Sequence, residues 1–207
     1  MYDFMSKLIQ LLKKLPIDVG QAEKKHDTAG KRIAFSFVPK EGGGKTALDI
    51  GCRDGYWSER LKSLGYVVSA LDIEPVYEGA LRHNVESGLP YYDKSFDIVW
   101  CTEVVEHLWR PASLFAEIER VAKSGAVAVL TTPNSACWFY GALRLFGRTP
   151  QSLQNPDHKQ FFDVNAITAL AAGYDIGGYF PYTPPFFRIK LGAGLLSPTF
   201  VLWKKFP

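Results

Sequence analysis

An α/β fold built on a mostly parallel sheet, with helices on both faces, is predicted by three observations. The stretch Thr46-Ala-Leu-Asp-Ile runs into Gly51-Cys-Arg-Asp-Gly55 and then into an amphipathic segment over 56–64. That is the order strand, glycine loop, helix, the opening of a nucleotide-type site at the carboxyl edge of a parallel sheet. A second β-branched run over 66–72 ends in Asp72, about 20 residues past the first glycine, the spacing of a ribose-binding acid. Strand-like and helix-like segments then keep alternating: 98–101 as a short buried strand, 111–123 as a helix, 126–133 as a strand. A ligand with an adenosine-like moiety is therefore expected.

Size and composition bound the rest. The 207 residues, 47% hydrophobic and 22% charged, suit one soluble globular domain with a substantial core. The predicted organisation is N-terminal helices over 1–40 covering a single domain over 41–207, in which 134–190 is a variable substrate and lid region. A net charge of +3 with a pI near 8.7 neither requires nor excludes nucleic acid. Cys52, Cys101 and Cys137 form no C-x-x-C pair and follow no secretory signal, so a reduced, cytoplasmic setting is expected. No apolar run reaches the roughly 18 residues that span a bilayer.

Taken in order, residues 1–15 place Phe4, Met5, Leu8, Ile9, Leu11, Leu12 and Leu15 at helical spacing, with Lys7, Lys13 and Lys14 elsewhere. A basic amphipathic helix can lie on a membrane surface, but packing on its own domain or on a second subunit is favoured. A second helix is predicted over much of 21–38, with Gly30 able to end it early and Lys24, Lys25, Lys31 and Arg32 as a solvated face. Glu41-Gly-Gly-Gly44 is a flexible joint. The proline at 111 suits the first helical position, where its missing N–H costs nothing. Asp163 is a candidate N-cap for a helix over 164–172.

The glycine spacing narrows the ligand. A dinucleotide fingerprint needs G-x-G-x-x-G, and its later positions hold Arg53 and Tyr56, so it fails. What stands is Asp49-x-Gly51-x-x-x-Gly55, with an acid able to face an ammonium group. This resembles the first motif of the class I S-adenosylmethionine-dependent methyltransferases, with Arg53 in place of the middle glycine. Ser-Phe-Asp-Ile-Val over 95–99, Thr102-Glu-Val-Val-Glu-His-Leu108 and the strand at 126–133 are similar to later motifs of that family in the same order. The resemblance implies a Rossmann-like sheet of seven strands with an antiparallel edge hairpin, the last strand over 199–203. It also implies S-adenosylmethionine as cofactor and S-adenosylhomocysteine as product. The implied cofactor contacts are Asp49, Gly51, Cys52, Gly55, Tyr56, Asp72, Ile73, Asn84, Val85 and Cys101. Asn84 stands where the family normally presents an acid to the adenine amino group.

Methyl transfer to oxygen needs a base or a metal to take the proton. Glu103, Glu106 and His107 are spaced i, i+3, i+4, so a helical turn sets them on one face, and His158 lies on the loop after the fifth strand. Glu106, His107 and His158 are the candidate catalytic residues. The four together are a candidate divalent-cation set, Glu103, Glu106, His107 and His158; a cation is not favoured over an imidazole base. Glu-x-x-Glu-His with the later Asp-His-Lys resembles the ubiquinone-pathway O-methyltransferases and the small-RNA 2′-O-methyltransferases, and in the latter these residues are metal ligands. The aromatic and proline-rich stretch 174–189 suits a flat or apolar acceptor, or an ordinary core. The expected activity is methyl transfer to oxygen of a small molecule. Alternatives are metal-assisted RNA 2′-O-methylation, not favoured because the basic residues of the last third are scattered, and a non-catalytic binding module.

Overall fold

The computed structural model describes residues 26–145, 147, 149, 154, 157–181 and 187–207. The predicted amphipathic helix over 1–15, most of 147–155 within the predicted substrate and lid region, and the segment 182–186 lie outside the described residues. Eight strands form one sheet: β1 (Thr46–Ile50), β2 (Val67–Asp72), β3 (Leu81–Arg82), β4 (Phe96–Thr102), β5 (Ala122–Pro133), β6 (Asp175–Phe180), β7 (Phe187–Ile189) and β8 (Thr199–Lys205). Their order is β3-β2-β1-β4-β5-β8-β6-β7. The first five pair in parallel, and β8 runs antiparallel between β5 and β6. The sequence predicts seven strands. The eighth is β7, which closes the antiparallel edge hairpin with β6.

Alternation along the strands sorts the side chains into two cores, because successive residues of a strand face opposite sides. On one side Ile98, Trp100 and Val129 pack with Ala34, Trp57 and Leu61. These come from the helices α1 (Ala29–Phe35) and α2 (Tyr56–Ser63). On the other side Val99, Cys101 and Leu130 meet Leu114, Phe115 and Ile118 of α3 (Pro111–Val121), with α4 (Trp138–Arg144) following later in the chain. Ile167 of α5 (Val164–Leu170) joins that second core, and Asp163 caps the helix, its carboxylate accepting the Ala166 amide at 2.8 Å. A short helix α6 (Ala193–Leu196) precedes β8.

Three readings are decided by the structure. Gly30 does not stop the second helix; it sits inside α1, which Thr28 caps by accepting the Lys31 amide. A Cβ on Gly30 would lie 3.2 Å from the Tyr179 ring and 3.3 Å from Thr199, so glycine lets α1 lie close on the sheet. Of the two readings of the aromatic stretch, acceptor wall or ordinary core, Tyr174 and Tyr179 take the second and are buried in the core. The stretch 103–107 is not one helical turn. Glu103 takes a left-handed backbone with φ +58°, and only Val105–His107 form a 3₁₀ turn.

Candidate active site

The chain goes outward from β1 to β2 and β3, then returns to lay β4 on the other side of β1. The carboxyl ends of β1 and β4 therefore part at the point where strand order reverses, the usual crevice of such sheets. A cavity of about 1580 Å³ opens there. A single small-ligand pocket spans about 300–1,000 Å³, so this one has room for two ligands side by side.

One half is organised by the loop after β1. Gly51 has φ +77°, and a Cβ on it would come within 2.3 Å of Val104; only glycine fits. Arg53, where the family pattern has glycine, adopts φ +46°. Its amide donates to the Asp72 carboxylate at 2.9 Å, and its carbonyl accepts from the Val76 and Tyr77 amides, both at 2.9 Å. These bonds hold the loop in a conformation that costs a non-glycine residue about 1–2 kcal/mol. Asp72 also accepts the Glu74 amide at 2.8 Å. Each carboxylate oxygen keeps a second lone pair, so Asp72 can still accept hydroxyls from a ligand in the cavity it lines.

Asp49 is buried and accepts the Ser58 hydroxyl at 2.6 Å. Burial pushes its carboxyl up to about 7, against the opposing pull of the Ser58 hydrogen bond and the Lys31 charge. An acid so placed gains from a cationic ligand. The Asn84 side-chain carbonyl accepts the Glu86 amide at 3.0 Å, and the Glu86 carboxylate accepts the Trp109 and Arg110 amides at 2.8 and 3.2 Å. The loops after β3 and β4 are thereby tied together beside Val85.

Of the predicted cofactor contacts, Asp49, Gly51, Cys52, Asp72, Ile73, Asn84 and Val85 line the cavity. Gly55, Tyr56 and Cys101 do not. Gly55 lies beneath the Tyr77 ring, Tyr56 turns to stack on His26, and Cys101 faces the core on the α3 side of the sheet. Lys31, expected on a solvated face, is only 8% exposed and lines the cavity, and its charge acts on both Asp49 and Glu106. No local spacing signals this, because the burial depends on where α1 lands on the sheet. His26 lines the same rim, where its imidazole pairs with Asp54 at 3.2 Å.

The other half of the cavity holds the polar cluster. Glu106 is 1% exposed. One carboxyl oxygen accepts the Thr132 hydroxyl at 3.0 Å, and the other, Oε1, has no hydrogen-bond partner among the described residues. His158 is brought to it because the Glu106 carbonyl accepts the Lys159 and Gln160 amides at 2.8 and 3.0 Å. His158 Nε2 lies 4.0 Å from Glu106 Oε1, and the His107 ring stands edge-on to His158 at 4.8 Å. Burial, reinforced by neighbouring His107, lowers His158 to about 4. Burial, together with the nearby Glu103 charge, raises Glu106 well above the usual carboxylate range.

Glu106, His107 and His158 bring their ligand atoms within 4.8 Å of one another; Glu103 is not part of that group. Its left-handed backbone carries it out of the turn, and its carboxylate accepts the Thr131 hydroxyl at 2.8 Å. At the mouth the exposed Trp109 carries the Lys159 ammonium 4.9 Å above its ring. Tyr140 and Gln154 also line this half. Neither stands out in the sequence as a site residue, since both belong to the region without a readable motif.

A family model described as a methyltransferase domain matches residues 22–176. The chain belongs to the methyltransferase family. It is 28% identical over 162 residues to the ubiquinone biosynthesis O-methyltransferase of Pseudoalteromonas translucida, covering 67% of each chain. It is 27% identical over 164 residues to a probable S-adenosylmethionine-dependent methyltransferase of Mycolicibacterium smegmatis, covering 74% of this chain and 59% of that one. A 32% identical match to the ubiquinone biosynthesis O-methyltransferase of Proteus mirabilis spans 46% of either chain, so the chain spans about half the length of some of these relatives.

Among solved structures it is similar to an S-adenosylmethionine-dependent methyltransferase of Archaeoglobus fulgidus, with TM-score 0.61 and 20% identity, over 84% of this chain and 92% of that one. A Thermotoga maritima methyltransferase matches with TM-score 0.63 and 12% identity, over 100% of this chain and 96% of that one. The sheet is thus the Rossmann-like class I methyltransferase fold. No helix among the described residues is long and apolar enough to cross a membrane.

Proposed function

We propose that the protein transfers a methyl group from S-adenosylmethionine to an oxygen of a small-molecule acceptor. The observation that carries this reading is one cavity lined by two chemically distinct groups: Asp49, Asp72 and Lys31, and the Glu106–His158 pair. The donor set fits the cofactor. Asp72 would hold the ribose hydroxyls, Asn84 and Val85 the adenine, the raised Asp49 carboxyl the ammonium, and buried Lys31 the carboxylate. When bound, the cofactor supplies a methyl group already activated by its sulfonium. The protein's part is to exclude water, align the acceptor and take up its proton.

His158 performs that last task. Its low basicity keeps it neutral at pH 7, with a lone pair to offer. Burial penalises an imidazolium or a carboxylate standing alone, but the two side by side offset each other, so Glu106 stabilises the imidazolium once the proton arrives. That relatives named ubiquinone biosynthesis O-methyltransferase are similar over much of the chain supports oxygen as the acceptor atom.

Calorimetric titration with S-adenosylhomocysteine tests the reading, and no heat under any condition overturns it. Lys31→Ala is expected to weaken binding about tenfold, the order of one charge-assisted hydrogen bond of about 1.5 kcal/mol. With the decarboxylated analogue of the same ligand, wild type and variant should bind alike. Proton linkage gives a second check. Asp49 titrates near 7 in the protein alone, and the ligand's ammonium favours its ionised form, so binding must release protons around that pH. Affinity therefore rises as pH goes from 5.5 to 7.5, by about sixfold where the ammonium lowers the carboxyl pKa by about 1. Repeating the titration in buffers of different ionisation enthalpy counts the protons, and Asp49→Asn should abolish the release.

One observation favours a metal-assisted version: the partnerless Glu106 Oε1 faces two imidazoles. Glu106, His107 and His158 suit a borderline cation such as zinc or manganese, which would supply Lewis acidity towards the acceptor oxygen. Activity retained after exhaustive chelation, with no manganese-binding heat lost in His107→Ala, excludes this version.

A further inference from the structure

Two polar atoms face each other in the acceptor half with no hydrogen bond between them among the described residues. Glu106 Oε1 is buried and partnerless, and His158 Nε2 stands 4.0 Å away. If Nε2 carried the imidazole hydrogen, an N–H beside a carboxyl oxygen with no other partner among the described residues would close to about 3 Å. The open separation fits a hydrogen on the other ring nitrogen. Nδ1 lies 3.4 Å from Gln154 Oε1, the same oxygen that accepts the Ser135 hydroxyl at 3.2 Å. Gln154 and Ser135 are both buried, and Gln154 lines the cavity.

We propose that Gln154 is a positioning residue: its side-chain oxygen accepts the His158 Nδ1–H, fixes that tautomer, and leaves the Nε2 lone pair and Glu106 Oε1 converging on the place of the acceptor hydroxyl. A neutral imidazole has one donor and one acceptor nitrogen, so whichever hydrogen bond one nitrogen makes decides what the other can do. The tautomer holds whether Nε2 receives a proton or a cation, since a ligating imidazole also uses its second nitrogen to donate. Only the kinetic consequence rests on the function proposed above.

The test separates the two. Protein labelled with ¹⁵N at histidine has four imidazoles, and His158→Asn identifies the signals of His158. Long-range ¹H–¹⁵N correlation at pH 7 should show a protonated Nδ1 and a bare Nε2 for His158 in the wild type. Gln154→Leu should release it to a mixture or to the Nε2–H form, whereas Gln154→Glu, which keeps an acceptor oxygen, should retain Nδ1–H. In a methyl-transfer assay Gln154→Leu should lower kcat at least tenfold while its affinity for S-adenosylhomocysteine, read by calorimetry, stays within twofold. A wild-type His158 carrying its hydrogen on Nε2 overturns the proposal, as does a Gln154→Leu variant whose tautomer is unchanged. Should no acceptor be methylated at all, the proposed function fails while the tautomer measurement still decides the role of Gln154.

Discussion

Replacing Asp72 with alanine is expected to raise the dissociation constant for S-adenosylhomocysteine about 100-fold. The carboxylate sits at the end of β2 with each oxygen already accepting one backbone amide, from Arg53 and from Glu74. Its remaining lone pairs face the cavity. Hydrogen bonds to a charged group contribute about 1.5–3 kcal/mol each, and two ribose hydroxyls at the low end of that range give roughly 3 kcal/mol, close to a hundredfold. Losing the Arg53 contact adds to this, because the left-handed Arg53 backbone is then held only through its carbonyl. Asp72→Asn keeps one acceptor oxygen and should fall between, near tenfold. A change of less than threefold in Asp72→Ala would show that the ligand lies elsewhere in the cavity.

His158→Ala is expected to lower kcat by about 10²–10⁴, the usual contribution of a positioned proton acceptor, and to leave S-adenosylhomocysteine affinity within about twofold. The separation of effects follows from the contacts, because His158 meets Glu106, His107 and Gln154 rather than Asp49 or Asp72. Glu106→Gln should cost a similar factor, since the imidazolium would form in a buried place without its counter-charge. His107→Ala should cost less; its Nδ1 lies 3.3 Å from the Asp157 carbonyl, and its side chain has no contact with the partnerless Glu106 oxygen as short as that of His158 among the described hydrogen bonds and ion pairs. Equal losses in kcat for all three would favour the metal-assisted version, in which each residue is a ligand.

Much of this site is legible in the order and spacing of residues. Gly51 and the acid at 72 stand out because a strand, tight turn and helix within ten residues leave few backbone solutions. The failures share a cause. Gly55, Tyr56 and Cys101 are neighbours in sequence of true lining residues, yet the helix start and the strand alternation turn them elsewhere. Glu103 meets the i, i+3, i+4 rule, but that rule presupposes a helix, and the left-handed backbone at 103 breaks it.

By itself the sequence determined the parallel sheet, the crevice beside β1 and the acids at 49 and 72 that line it, since these depend on interactions within short stretches. Only the tertiary structure decided that Lys31 is buried near Asp49, and that Glu106 meets His158 across roughly 50 residues of chain, with Gln154 on the other ring nitrogen. Those contacts are set by how helix α1 and the loop after β5 settle on the sheet, where burial and the pairing of buried polar groups outweigh any local preference.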